Sequence, residues 1–186
     1  MLPQSTPVPL MDDALDDLFQ ANIVNITGIV GSLVRPRFQP EPAAHPEHNV
    51  DWVAFGVVTQ DADTFPSITH DPNGDSGAGT DLVERDELIT LNLSFYGPNN
   101  GRLSSQYREG LFVEQNRWDL AAQGVGLVSV GPVINLPALL KDKWVKRKDT
   151  KVIFRRRSGR VYKVPSLVKA SATINTDPRV TTVIIQ

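Results

Sequence analysis

The chain has no cysteine. That absence excludes a disulfide scaffold, thiolate metal sites and cysteine nucleophiles. Histidine is scarce, with three residues among 186, and all three fall in segments that read as loops. No Gly-x-Ser-x-Gly elbow, phosphate-binding Walker loop or dinucleotide fingerprint occurs. Gly124-Val125-Gly126 lacks a third glycine and reads as a helix stop. No apolar run is long enough to cross a bilayer. The start, MLPQSTPVPLMDD, lacks the basic and apolar regions of a signal peptide. The composition therefore predicts a soluble protein of a reducing compartment.

What is present is charge, unevenly placed. The net charge is only −2. Residues 1–140 hold six basic and eighteen acidic side chains, whereas residues 141–169 hold twelve basic and two acidic. Such polarity predicts one positive surface on an otherwise acidic protein.

The clearest structural signal is DELITLNLSFYG, residues 86–97. Ile89, Leu91, Leu93 and Phe95 alternate with Thr90, Asn92, Ser94 and Tyr96. A period of two predicts a strand with one apolar face, here covered by helices. Gly97-Pro98 stops it. Asp12 to Thr27 reads as a helix, with Leu15, Leu18, Phe19, Ile23 and Ile26 on one face. Asp12, Asp13, Asp16 and Asp17 crowd its start, where the helix dipole favours negative charge. With no further ligands nearby they read as a solvated helix start rather than a metal site. Residues 33–38 predict an edge strand, because Pro36 has no N–H for a central ladder. Residues 50–60 predict a central strand, apolar on both faces.

Other segments are read as follows. Residues 39–49 form a Pro-rich extended connection, and His45 and His48 within it are exposed loop histidines rather than metal ligands. Residues 61–81 predict a long mobile loop. Asp71, Asn73 and Asp75 imitate the start of a calcium loop, but Ser76 and Leu82 stand where Gly and Glu are needed. The acids at 84, 86 and 87, beside Arg85, are strand-end charges rather than an acid–base pair. Residues 101–113 and the segment from Asn116, as N-cap, predict two helices, with Trp118, Ala121 and Ala122 facing the core. A short strand follows at 126–130. Lys143–Arg157 and Arg160–Ile174 predict a hairpin turning at Ser158-Gly159, with Trp144, Val152 and Phe154 available for burial.

Together these features predict an α+β fold, a mostly antiparallel β-sheet with two or three helices packed on it. Residues 1–10 form a flexible tail, 11–175 a single domain and 176–186 a strand-like arm. No catalytic residue, cofactor or metal site emerges. The candidate functional residues are charged surface groups: Lys146, Arg147, Lys148, Arg155, Arg156, Arg157 and Arg160, with Asp12, Asp13, Asp16 and Asp17 as a complementary acidic surface. Contact with protein is favoured over nucleic acid, since this chain itself offers the acidic partner. The alternative is a small nucleic-acid-binding protein using the basic hairpin 141–169.

Seven stretches, in order, resemble the neck or tail terminator proteins of tailed phages and prophages. They are LVRPRFQPEP (33–42), DWVAFGV (51–57), LSFYGP (93–98), REGLFVEQNRWDL (108–120), GLVSVG (126–131), LPALLKDKWVKRKD (136–149) and the IFRRR and VYKV pair within 153–164. The resemblance implies a non-enzymatic virion protein of the tail neck, assembled in the host bacterial cytoplasm. It implies a ring, usually of six subunits, that caps the head-proximal end of the tail. Its implied neighbours are the tail tube, sheath protein in tails that have one, and a head-completion or connector protein. Double-stranded DNA would pass through the ring without sequence-specific binding, and no membrane is involved.

Overall fold

The computed structural model describes residues 10–39, 41, 43–72, 78–140, 143–167, 170–176 and 179–185. The expected flexible tail lies almost wholly outside these residues. The chain divides into two compact units. The larger spans the described residues of 10–64 and 86–157; the smaller spans those of 65–85 and 158–185. Two strands of nineteen residues contribute to both units, β4 (Ala78–Tyr96) and β9 (Arg147–Pro165).

In the larger unit, helix α1 (Asp12–Thr27) ends where Gly28 adopts φ +72°, a left-handed conformation that glycine reaches without a Cβ clash. Strand β1 (Val34–Pro36) pairs in parallel with β2 (Trp52–Ala62). Its position at the sheet edge accommodates Pro36, as expected. The order continues from β2 to β4, β9 and β5 (Val125–Val130). β2 pairs antiparallel with β4, with a register shift between Val57 and Thr59. β5 pairs antiparallel with β9. The mostly antiparallel α+β architecture is the one the sequence predicts.

One sheet face carries the core. Ile89, Leu91, Leu93 and Phe95 of β4 are fully buried with Val53 and Phe55 of β2 and Val152 and Phe154 of β9. Leu15, Phe19 and Ile23 of α1 pack against them, and the Phe19 and Phe154 rings lie 5.1 Å apart. Helix α2 (Asn100–Gly110) adds Leu103 and Tyr107, and Leu111 follows at its end. Burying such large apolar side chains stabilises the fold by roughly 1.5–3 kcal/mol each.

Four expectations are corrected. First, there is no hairpin at Ser158-Gly159, because both residues lie inside β9. Ser158 continues the buried alternation of Val152, Phe154 and Arg156. A tight hairpin needs residues suited to positive φ, and Gly159 is not among the positive-φ glycines. The local hairpin instead joins β7 (Ala138–Leu140) to β8 (Lys143–Val145), preceded by a two-residue strand β6 (Ile134–Asn135) on β9.

Second, residues 61–81 are largely strand. β2 runs on to Ala62, and β3 (Ser67–Asp71) pairs with residues 80–84 of β4. Residues 73–77 lie outside the described residues. Polar turn-like composition misled here, because ladder hydrogen bonds satisfy the backbone whichever side chains face solvent.

Third, Asn116 does not cap a helix. Its side chain donates to the Gly110 carbonyl at 2.9 Å, closing the end of α2. A 3-10 turn at Glu114–Arg117 follows, and α3 (Trp118–Ala122) buries Leu120 while Trp118 stays 60% exposed. Fourth, Trp144 is not buried. In β8 its neighbour Val145 takes the inward position. The C-terminal segment pairs with its own chain, β10 (Ala170–Thr176) against β11 (Arg179–Ile185).

Candidate functional site, a divided basic strand

The alternation of β9 sorts its three consecutive arginines. Arg155 and Arg157 are exposed on one face, and Arg156 is 3% exposed on the other. A buried guanidinium is costly unless it is paired and hydrogen-bonded. Arg156 meets both conditions. Its Nε donates to Glu87 Oε2 at 2.8 Å, Nη1 donates to the Leu10 carbonyl, and Nη2 approaches Met11 Sδ at 3.1 Å. It thus ties the entry of α1 to β4 and β9 and is spent inside the chain. Arg157 lies 3.4 Å from Asp86 across the open face, an exposed contact of little energetic weight. Arg155 lines a cleft of about 300 Å³ together with Asp61, Asp63 and Asp86.

The basic residues nearer the start of β9 divide similarly. Lys146 is exposed. Arg147 donates from Nε to Asp149 Oδ1 at 2.7 Å, and its guanidinium carbon sits 5.7 Å from the Tyr96 ring centre. Ser94 donates to the same Asp149 oxygen at 2.6 Å and accepts from Arg37. Burial alone would raise the Asp149 carboxyl, but the bonds from Arg147 and Ser94 and the charges of Arg147 and Arg37 hold it below its ordinary range. Tyr96 stacks on Trp52 at 4.1 Å, and His45 meets both rings edge-on. His45 is therefore an exposed loop residue, as expected, but one anchored on aromatic rings. Lys148, half-buried, reaches towards the start of α2 beside Gly101. Arg160 belongs to the smaller unit and is half-buried.

The predicted acidic surface is present at the start of α1. Asp12, Asp13 and Asp17 are exposed and Asp16 is half-buried. Burial, then the charges of Asp13, Asp17 and Asp12, push the Asp16 carboxyl above its ordinary value. A cleft of about 400 Å³ opens beside it, lined by Leu15, Phe38 and Val58. Among the described residues none of the four aspartates forms an ion pair.

The smaller unit holds an arrangement that sequence reasoning missed. His70 and Asp81 are directly opposed on β3 and β4, and His70 Nδ1 lies 2.6 Å from Asp81 Oδ1. Ser166 Oγ lies 3.2 Å from the other ring nitrogen. These are the residue types of a serine nucleophile with its base and orienting acid. The His70 side chain is 47% exposed, however, where water competes for its hydrogen bonds. The trio is read as a clasp between strands. The β3–β4 register sets His70 opposite Asp81, while Ser166, just after β9, comes from more than 80 positions further along, so no local signal announces the trio.

The sequence profile of the phage neck terminator proteins matches residues 13–180, and the chain belongs to that family. Among individually curated proteins, none matches it. Membership makes it a virion component of the phage neck, in contact with other virion proteins. Among the described residues no helix is long and apolar enough to cross a membrane.

Two outcomes follow from these environments. Arg156→Ala removes a buried guanidinium from half-buried Glu87 and should cost about 3–5 kcal/mol of stability, whereas Arg155→Ala should stay within about 0.5 kcal/mol of the parent. Denaturant melts of both variants check this, and equal losses would contradict the division of the strand. Asp16 binds a proton more tightly folded than unfolded, so it opposes folding at neutral pH and ceases to do so once protonated. Asp16→Asn should therefore raise the melting temperature at pH 7, with the gain shrinking as pH falls through the carboxylate range. A gain independent of pH would contradict the electrostatic cause.

Proposed function

We propose that this chain is a tail terminator that assembles as a closed ring of identical subunits, six in number, at the head-proximal end of the tail. The ring stops growth of the tail tube and presents a surface to a head-completion protein, with sheath protein as a further neighbour where a sheath exists. Double-stranded DNA passes through it without sequence-specific contact. Assembly takes place in the host cytoplasm. Family membership supports the place in the virion. The observation that carries the reading is the polarity of β9, where Arg155 and Arg157 stand on one exposed face behind which Arg156 is anchored.

The acidic start of α1, Asp12, Asp13, Asp16 and Asp17, is the surface these arginines meet on the next subunit. Like charges crowded on one helix end gain from an external cation. Each exposed ion pair contributes only about 0–1 kcal/mol, so a network of several is required. Because the acidic and basic surfaces differ, the contact is head-to-tail, and repetition through a closing rotation gives a ring.

Reversing both charges, Arg155→Glu with Arg157→Glu, should leave the subunit folded, with some loss of stability from repulsion by Asp61, Asp63 and Asp86, and block completion of head-joined tails. Reversing Asp12 and Asp13 to Lys in the same chain should restore part of it. Tails of normal length joined to heads in the double variant would show that this surface is not an assembly contact. Normal assembly with failed DNA passage would place the arginines on the channel wall instead.

A further inference from the structure

Among the described residues, the larger unit exposes apolar side chains on two surfaces that carry a tryptophan. The first is the β7–β8 hairpin. Leu139 and Trp144 are directly opposed across it and are 57% and 70% exposed, while Val145 turns inward. Ile134 and Leu136, also exposed, precede it. Its rim is basic, with exposed Lys146 and half-buried Lys148. Strands of three residues give a hairpin little stability of its own. A tryptophan held outward on such an element is an informative exception to ordinary burial.

The second surface is the turn from α2 to α3. Phe112, Val113 and Trp118 are 68%, 49% and 60% exposed. Beside Phe112 lies a cleft of about 280 Å³, lined also by Ser105, Arg108 and Glu109. Exposed Glu109, Glu114 and Asp119 surround it, against Arg108 and half-buried Arg117, so the rim is net acidic.

One residue from the rim of each surface marks an end of α2. Lys148 reaches the start of that helix beside Gly101, and Phe112 follows its last residue, Gly110. The eleven residues of helix between those two points span about 16 Å. Two copies of the chain can bring the two faces together. We infer that the Leu139–Trp144 face of one copy seats on the Phe112–Trp118 surface of the next.

The chemistry fits on both counts. The apolar centres match, and a basic rim meets a net acidic one. Aromatic side chains offer about 150–250 Å² each, so Trp144, Phe112 and Trp118 supply the centre of an interface of standard size, about 1,600 Å². Tryptophans at such centres dominate binding energy. The contact is heterologous, as a ring requires. The inference deepens the ring reading and rests on it.

The absence of cysteine makes the test clean. A chain carrying Lys146→Cys with Glu114→Cys, assembled into particles, is treated with a short-arm bis-maleimide. A ladder of multimers from the double variant, lost in either single variant, is expected. Copy number per particle is counted in parallel by quantitative mass spectrometry. Several copies without a ladder overturn this contact and leave the ring standing. A single copy overturns the ring reading itself. Dimers from Lys146→Cys alone show a self-facing contact and also overturn the inference. As a second variant, Trp144→Asp should melt like the parent yet be lost from particles. Its incorporation at the parental copy number overturns the proposal.

Discussion

A guanidinium cannot sit beneath a sheet without partners, and the position of Arg156 constrains much else in this chain. Glu87 must stand opposite it on β4, and the chain entering α1 must present the Leu10 carbonyl. The same placement fixes the phase of β9. With Arg156 inward, Val152 and Phe154 reach the core and Arg155 and Arg157 face outward. A one-residue slip would bury two arginines and expose Phe154. The ion pair is a weak source of net stability, because desolvation offsets most of its attraction. Its physical role is to make that register the only affordable one.

The face away from the helices shows the complementary solution. There Arg37, Ser94, Asp149 and Arg147 share hydrogen bonds beside the stacked Trp52 and Tyr96 rings. Positive charge at the start of β9 is thus partly neutralised within the chain. The charge available to partners is narrower than the composition of residues 141–169 suggests. It rests on side chains at the exposed positions, such as Lys146 and Arg155, with Arg157 shared with Asp86.

Where periodicity was unbroken, the sequence was legible. Residues 86–96 and α1 could be placed because their apolar spacing has one interpretation. β1 could be placed at an edge because proline forbids the centre. Ser158-Gly159 misled because a Gly next to a small polar residue is as compatible with a long ladder as with a turn. Trp144 and Trp118 misled because hydrophobicity predicts burial, whereas the inward positions of β8 and α3 had gone to Val145 and Leu120. Alternation puts Arg155 and Arg157 on one face of β9 and Arg156 on the other, but Arg156, expected as a surface group, is the one buried. The partners of Arg156, and the meeting of His70, Asp81 and Ser166, depend on register between distant strands and leave no local trace.

The central claim is that copies of this chain form the terminal ring of a phage tail. The most direct measurement is a cryo-EM reconstruction of the neck in particles containing it. A closed ring of identical copies, with this α+β fold at the head-proximal end of the tail, is the predicted result. A neck that contains one copy, or none, would contradict it.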